Sequence, residues 1–169
     1  MTVTGNLSAS DTLTPADLLR RTLRRHAAGV TVLTVPGPAG FTATSFTSVS
    51  LEPALVSFYL SSTASTARAV LDADVFAVHV LGEHQNAIAE RFARSGVDRF
   101  AGTGWSPGPQ GVPLLDDVPA WLTARPVLRQ EVGDHLLVVG EVLDAGGDGD
   151  EAPLLHHSGA FGAFRPLPR

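Results

Sequence analysis

The sequence predicts a mainly β protein: a β-barrel of six or so short strands with a few peripheral helices. Short segments of alternating or continuous apolar residues recur along the chain, and β-branched residues are common in them. Turn-forming residues are frequent, with 17 glycines and 12 prolines among 169 residues. The segments follow one another without the strand–helix alternation that builds a parallel sheet. These three observations favour a barrel.

The length and composition fit a single domain without a disulfide framework. A chain of 169 residues lies within the roughly 100–200 residues typical of one domain. The lack of cysteine excludes disulfide scaffolds, cysteine-ligated zinc, iron–sulfur clusters and a cysteine nucleophile. A net charge of −5 has the wrong sign for a nucleic-acid binder. Because neither an apolar run of roughly 18 residues nor a signal peptide is evident, we expect a cytoplasmic protein without a membrane partner.

The first predicted element is a helix that begins at Pro15, after a tail expected to be disordered over residues 1–13. Thr14 fits the N-cap and Asp17 the capping-box position, so the domain is predicted to span 14–169. The helix carries an apolar stripe and four arginines at these positions: Leu18, Leu19 and Leu23; Arg20, Arg21, Arg24 and Arg25. The arginines are interpreted as a solvated face, with a site for phosphate or an acidic partner as the alternative.

The remaining elements follow from periodicity and turn residues. Strands are predicted at residues 30–35, 41–50, 54–60, 75–81, 121–128, 136–143 and 154–164. Short helices are predicted at 67–71 and 85–93, and a long loop rich in glycine and proline at 96–113. The apolar run 54–60 is the candidate for a central strand, and the acidic segment 144–151 is expected to be a solvated hairpin.

Three motifs are rejected as ligand sites. The segment from Gly102 to Gly104 starts like a dinucleotide fingerprint, but Pro107 stands where the third glycine belongs and no strand–helix pair encloses it. The acidic segment 144–151 lacks the spacing of an EF-hand calcium loop. His156 and His157 are neighbours in a predicted strand, so their side chains point to opposite faces and cannot easily share one ion. No metal site is therefore expected.

Two hydroxyl-rich segments carry the functional prediction. Between Thr42 and Ser50, six of nine residues are Ser or Thr, and small polar residues let a flat ligand approach the backbone. Residues 61–66 are also rich in hydroxyls and directly precede a predicted helix, where they can bind an anion without lysine. An aromatic ring system at one segment and a phosphate at the other describe a flavin nucleotide. The alternative is an ordinary barrel rich in Ser and Thr.

Five segments resemble the small flavin reductases of two-component monooxygenase systems, whose domain is the FMN-binding split barrel. The segments are residues 28–34; residues 40–53; residues 76–81 with Gln85 and 91–93; Arg99 and Phe100 with 111–115; and residues 133–135 with 139–142. They span nearly the whole predicted domain. The resemblance implies a Greek-key split β-barrel with peripheral helices, and a homodimer.

The resemblance also implies roles for individual residues. One stretch of the family lines the isoalloxazine through backbone groups, and it matches Thr42, Ala43, Thr44 and Ser45. Its continuation along the flavin matches Ser48, Val49 and Ser50. The phosphate-contacting pair is Ser65 and Thr66, the segment near the cofactor is Arg99 and Phe100, and the residue near the pyridine nucleotide is Phe161. His135 matches the histidine placed against the nicotinamide and is the catalytic candidate. Thr44 departs from the family, because many members have asparagine there.

The activity implied by this resemblance is that of an NAD(P)H:flavin oxidoreductase. It would transfer hydride from NADH or NADPH to FMN or FAD and supply the reduced flavin to a partner monooxygenase. The likeness to reductases of actinomycete polyketide pathways implies a setting in natural-product biosynthesis. Two alternatives stay open: a split barrel that holds flavin tightly and acts on a substrate itself, and a non-enzymatic module that stores or senses flavin or haem.

Overall fold

A computed structural model describes residues 13–147 and 149–168 of the chain, and it confirms the mainly β fold. Residues 1–12 of the predicted tail and Asp148 of the acidic segment lie outside the described residues. Within the described ranges the chain forms three α-helices and twelve strands. None of these three helices is long and apolar enough to cross a membrane.

The elements have the following bounds. The helices are α1 (Pro15–Leu23), α2 (Ala67–Asp72) and α3 (Asn86–Ala93), and a 3-10 turn covers Pro109–Gly111. The strands are β1 (Ala28–Gly29), β2 (Thr31–Val35), β3 (Ala39–Ala43), β4 (Thr47–Leu51), β5 (Ala54–Ser61), β6 (Phe76–Val80), β7 (Trp105–Pro107), β8 (Pro113–Leu115), β9 (Ala120–Val132), β10 (His135–Gly146), β11 (Leu154–His157) and β12 (Ala160–Ala163).

Seven strands form one antiparallel sheet in the order β3-β2-β6-β9-β10-β5-β4. Strands β3 and β4 follow each other in the chain, yet they lie at opposite edges of this sheet. The link between them is residues 44–46, which can reach at most about 15 Å, so the sheet must curl until its edges approach. The result is a barrel-like sheet that is not closed. Two smaller sheets, β1-β11-β12 and β7-β8, complete the strand set.

Helix α1 begins as the sequence predicts but lies on the outside of the barrel. The Thr14 hydroxyl accepts a hydrogen bond from the Asp17 amide at 3.2 Å, and the Asp17 carboxylate accepts one from the Thr14 amide at 3.1 Å. The apolar stripe of the helix does not reach the core, because no residue of α1 is buried. Its leucines, Leu18, Leu19 and Leu23, are half or more exposed.

A buried histidine ties three strands of the barrel together. His79 of β6 is fully buried, and its Nε2 accepts a hydrogen bond from the Leu115 amide of β8 at 3.1 Å. That bond makes Nδ1 the protonated nitrogen, which donates to the Val32 carbonyl of β2 at 3.0 Å. Burial lowers the pKa of His79 from 6.5 to about 4, so the ring is neutral at pH 7. The histidine thus fixes the end of the long segment that connects α3 to β8.

Three predicted elements differ from the observed ones, each for a local reason. The predicted strand 41–50 is two strands, β3 and β4, because the chain leaves one sheet edge at residues 44–46 to reach the other. The predicted loop 96–113 contains most of the hairpin formed by β7 and β8. The predicted last strand 154–164 is the hairpin of β11 and β12, which turns at Ser158 and Gly159 with φ of 53° and 85°.

Of two predictions about the position of segments in the sheet, one is confirmed and one is wrong. Strand β5, predicted as a central strand at 54–60, is an interior strand that pairs with β10 and β4, although β9 occupies the middle of the sheet. The acidic segment 144–151 is not a hairpin, because β10 runs on to Gly146 and the next strand, β11, belongs to another sheet.

Candidate functional site

A cleft of about 790 Å³ lies between helix α1 and the point where the chain leaves β3. Thr44 and Ser45 line the cleft on the barrel side. Helix α1 and strand β11 contribute to the opposite wall with Leu19, Arg20, Leu23, Arg24 and His156. This volume is within the range of small-molecule sites, roughly 300–1,000 Å³, and the lining combines apolar, polar and cationic groups.

The Ser45 hydroxyl bonds the link between β3 and β4 to strand β5. It accepts a hydrogen bond from the Tyr59 amide at 3.0 Å and donates one to the Tyr59 carbonyl at 3.1 Å. Because the pairing of β4 with β5 ends at Thr47 and Ser57, Ser45 takes the place of a strand partner for Tyr59. The hydroxyl proton and one of the two oxygen lone pairs are therefore used by the protein, so Ser45 has no side-chain donor left for a ligand. Thr44, by contrast, has an exposed side chain.

Thr42 and Ala43 precede this point on β3 and do not line the cleft. The Thr42 hydroxyl donates to the Ala89 carbonyl of α3 at 2.6 Å, so it holds that helix against the sheet. Ala43 is buried in the main hydrophobic core. The predicted stretch Thr42–Ser45 is therefore divided: its first two side chains stabilise the barrel, and its last two residues reach the cleft.

The predicted continuation along the flavin lies elsewhere. Ser48, Val49 and Ser50 belong to the edge strand β4 and do not line the cleft. Ser48 and Val49 are exposed, and the Ser50 hydroxyl accepts a hydrogen bond from the Glu52 amide at 3.2 Å. The structure of the single chain therefore does not bring these three residues together with Thr44 and Ser45.

Arg99 joins the second hydroxyl-rich segment to strand β3. Its Nη2 donates to the Ser65 hydroxyl at 3.3 Å, its Nη1 to the Gly40 carbonyl at 2.8 Å, and its Nε to the Arg94 carbonyl at 2.8 Å. Three of the five guanidinium N–H groups are used in this way, which leaves two for a ligand. Partial burial lowers the pKa of Arg99, but an arginine stays charged in a protein. The segment 61–66 itself contains no cation, and Arg99 brings one to it.

Thr66 lies beside this pair and carries a hydroxyl oxygen without a partner. Its Oγ1 is buried, and among the described residues no group hydrogen-bonds to it. The residue is the N-cap of α2 but makes no side-chain capping bond. Buried polar atoms are normally hydrogen-bonded, so an unsatisfied hydroxyl next to Ser65 and Arg99 fits a place where a polar ligand group completes the site.

His135 stands at the start of β10, next to the same hydroxyl-rich segment. Its Cα partner in β5 is Ser61, and the Ser62 amide donates to the Asp134 carbonyl at 3.0 Å. The Nδ1 atom of His135 lies 2.7 Å from the Asp134 carboxylate. This hydrogen bond, and then the histidine charge, lower the pKa of Asp134, and the charge of Arg20 on α1 acts in the same direction.

The two predicted aromatic residues pack within the protein. Phe100 stacks edge-on against Phe92 at 5.1 Å and Trp105 at 5.6 Å between ring centroids. Its ring packs against a core cluster that contains Phe92 and Leu154. Phe161 packs against that same cluster and meets His156 at 5.7 Å between ring centroids. Because His156 lines the cleft, Phe161 supports the cleft wall from behind.

The sequence-based prediction missed the wall formed by helix α1. The signal was present as four arginines in six residues, but the pattern alone does not say what the helix faces. The two adjacent histidines behave as predicted, because His156 lines the cleft and His157 lines a different hollow. In the parts of the chain that are described, no group of three or more His, Asp or Glu side chains is arranged to hold a metal ion.

The comparisons with known proteins identify the family. The sequence model of the flavin reductase like domain matches residues 23–165. An NADH:FMN oxidoreductase of Rhodococcus qingshengii is 46% identical over 157 residues, which cover 88% of this chain and 81% of that protein. HsaB, the reductase subunit of a flavin-dependent monooxygenase of Rhodococcus jostii, is 33% identical over 150 residues, covering 87% of this chain and 77% of that protein.

A solved structure shows the same fold. The NADH:FAD oxidoreductase SgcE6 of Streptomyces globisporus C-1027, in complex with NAD and FAD fragments, superposes with a TM-score of 0.86. It is 36% identical and the match covers 93% of this chain and 98% of that one. The family match contains all twelve strands, α2 and α3, whereas most of α1 precedes it. The family predicted from the sequence is thus confirmed, and the chain belongs to the flavin reductase like family.

Proposed function

We propose that this chain is an NAD(P)H:flavin oxidoreductase that reduces FMN or FAD and passes the reduced flavin to a partner monooxygenase. The observation that carries the proposal is the contact of Arg99 with both Ser65 and Gly40. It places a cation and a hydroxyl for a phosphate at one end of the hydroxyl-rich segment. Thr44 lies at the cleft, four residues after Gly40 in the same strand direction, which corresponds to about 13 Å of extended chain. One flavin nucleotide, with a phosphate and a ring system joined by a ribityl chain, suits this separation.

Different residues would bind the phosphate and the ring system of a flavin. Arg99 and Ser65 would hold the phosphate, and the unpaired Thr66 hydroxyl would complete that site. The backbone at Thr44 and Ser45 would offer hydrogen bonds to the edge of the ring system. When bound, flavin supplies the redox chemistry by accepting hydride from the nicotinamide, and the protein supplies position and electrostatics.

His135 has the geometry of an orienting residue. The Asp134 carboxylate fixes Nδ1 of the ring as a donor, which leaves Nε2 as the ring nitrogen available to a ligand. The exposed half of the side chain lies beside the hydroxyl-rich segment that also carries Ser65. We assign His135 the role of positioning the nicotinamide by hydrogen bonding, with no proton transfer required of it.

The proposed activity is tested by following oxidation of NADH and NADPH by the purified chain, with and without added FMN or FAD. We expect turnover that depends on added flavin, and the ratio of rates identifies the preferred flavin and the preferred nicotinamide nucleotide. Flavin binding without oxidation of either nucleotide would contradict the proposal. Turnover by a permanently yellow protein, indifferent to added flavin, would favour a tightly bound flavin instead.

Replacing His135 with alanine should lower kcat/KM for the nicotinamide nucleotide about tenfold, which corresponds to the loss of one good hydrogen bond to the bound nucleotide. The dissociation constant for FMN, measured by fluorescence titration, should change less than about twofold. Asn would restore part of the loss, because its side chain keeps a hydrogen-bonding group near the same place. Steady-state constants equal to those of the unchanged protein would remove His135 from the mechanism.

The two alternatives from the sequence are not favoured. The relatives compared above are named as oxidoreductases or as a reductase subunit, and none is named as a storage or sensing protein. The exposed Thr44 at the cleft suits a flavin that enters and leaves better than a buried prosthetic group.

We also propose that the chain forms a homodimer, as the resemblance implies. Large apolar side chains are exposed on strands β4, β5 and β9 of the main sheet, at Val49, Leu51, Tyr59, Val127, Leu128 and Val132. Exposed apolar area marks interaction surfaces where it is extensive. Sedimentation velocity should give twice the chain mass at micromolar concentration, and a monomer there would contradict the proposal. Because NAD(P)H and free flavin are intracellular substrates, we place the enzyme in the cytoplasm.

A further inference from the structure

We infer that helix α1 binds the adenosine diphosphate half of a dinucleotide through Arg20 and Arg24. The inference rests on the proposed function and extends it to a part of the ligand for which no residue has been assigned. FAD and NAD(P)H each carry such a half, whereas FMN does not. Four steps lead to it: the charge, the direction, the anchoring and the chemical fit of these arginines.

The first step is the density of positive charge on α1. The whole chain has 12 lysines and arginines and a net charge of −5, yet four arginines lie within six residues of this helix. Arg20 has a carboxylate partner, Asp17, at 3.3 Å. Within residues 13–147 and 149–168, no carboxylate forms an ion pair with the other three. Like charges four residues apart on a helix repel, and a bound anion would relieve that repulsion.

The second step is the direction in which the arginines point. Arg20 and Arg24 are four residues apart, so they share one side of the helix, and both line the cleft. Arg21 and Arg25 are also four apart but do not line the cleft; they border a separate hollow beside His157, which Arg24 lines as well. Arg20 and Arg24 are thus the two arginines that reach the proposed site, and Arg24 lies between the two hollows.

The third step is the anchoring of the helix. The amide and the hydroxyl of Ser158 both donate to the Arg24 carbonyl at 3.0 Å, and Nη2 of Arg24 donates to the Ser158 carbonyl at 3.3 Å. These three bonds fix the C-terminal end of α1 to the turn between β11 and β12. The arginines are thus held in place although the apolar face of the helix is uncovered.

The fourth step is the match between the cleft and its ligand. A diphosphate carries negative charges that arginine forks bind well, and Arg20 and Arg24 supply two such forks. Leu19 and Leu23, each more than half exposed, offer apolar surface to an adenine ring. Thr44, on the opposite wall, is where the ring system of the proposed flavin would lie.

The test compares two double variants of the full-length protein with the same change in charge. One is Arg20→Gln with Arg24→Gln, and the matched control is Arg21→Gln with Arg25→Gln. The probe is ADP-ribose, and its binding is measured by calorimetry without any turnover. The unchanged protein and the control should bind it with similar affinity, and the Arg20/Arg24 variant at least tenfold more weakly, since each hydrogen bond to a charged group is worth about a factor of ten.

Two further titrations identify the source of the ADP half. If it belongs to FAD, the Arg20/Arg24 variant loses affinity for FAD about tenfold while its affinity for FMN stays within about twofold. If it belongs to the nicotinamide nucleotide, KM for NADH rises by a similar factor with FMN as acceptor, and reduced nicotinamide mononucleotide shows no such rise.

Several results would overturn the inference. They are failure of the unchanged protein to bind ADP-ribose, equal binding by all three proteins, and an equal loss in both double variants, which would indicate general electrostatics. In each case flavin-dependent NADH oxidation by the unchanged protein would leave the proposed function standing. Conversely, ADP-ribose binding that depends on Arg20 and Arg24, without NADH oxidation, would overturn the proposed function and keep the site.

Discussion

Lowering the pH from 7 to about 4 is expected to reduce the free energy of unfolding by about 3 kcal/mol through His79 alone. The pKa of this buried ring falls to about 4 in the folded protein, against 6.5 in the unfolded chain. The unfolded state therefore takes up the proton first as the pH falls. The contribution is complete above pH 6.5 and is lost between pH 6.5 and about 4. A shift of this size corresponds to about 3 kcal/mol.

The measurement is a series of urea denaturations across this pH range on the unchanged protein and on His79→Gln. Gln cannot titrate, so the difference between the two stability curves isolates the histidine from all carboxylates. At pH 7 the variant should be less stable by about 2 kcal/mol, because the Gln side chain does not have the ring geometry that bonds Leu115 and Val32 at once. The difference should shrink as the pH falls and reverse by about pH 4, because only the unchanged protein loses the contribution of about 3 kcal/mol. Parallel curves would show that His79 does not carry the pH dependence.

Replacing Arg99 with glutamine is expected to weaken FMN binding at least tenfold. The change removes the cation that contacts Ser65 and, with it, charge-assisted hydrogen bonds to the phosphate. The loss should be smaller for riboflavin, which has the ring system without the phosphate. Fluorescence titrations with both ligands therefore separate loss of the phosphate contact from distortion of the cleft.

Arg94→Gln is the matched control for Arg99. The Arg94 side chain is largely exposed and makes one long ion pair, to Glu90 at 3.9 Å, while its backbone carbonyl still receives the Arg99 bond. The charge change is the same, so Arg94→Gln should leave FMN affinity within about twofold. Equal weakening in both variants, or none in Arg99→Gln, would show that Arg99 does not bind the phosphate.

The sequence predicts the fold class and most elements because they depend on local patterns. The capping residues Thr14 and Asp17 locate the start of α1, and alternation locates β2 and β6 within one residue of their observed ends. The break at 44–46 could not be predicted, because the run of small hydroxyl residues continues across it. Only the placement of β3 and β4 at opposite sheet edges forces the chain to turn there.

The candidate site was predictable only in part, since it depends on contacts between distant segments. The segment 61–66 indicates an anion site, but the cation that serves it comes from Arg99, 34 residues beyond Ser65. In the same way the arginines of α1 are visible in the sequence, while the turn at Ser158 that fixes them is 134 residues from Arg24. The resemblance to flavin reductases implied only that Arg99 lies near the cofactor, with the phosphate assigned to Ser65 and Thr66, and it gave no role to α1.

The contact between Ser45 and Tyr59 has a consequence for observing the enzyme at work. The Tyr59 amide is protected from exchange with deuterium by a hydrogen bond to a single side-chain hydroxyl. Other amides of the sheet are protected by backbone hydrogen bonds between paired strands. Any molecule that settles against residues 44–46 restrains Ser45 and should slow deuterium uptake at this one amide. Deuterium uptake at the Tyr59 amide would therefore report whether the cleft is occupied, even for ligands that neither absorb light nor turn over.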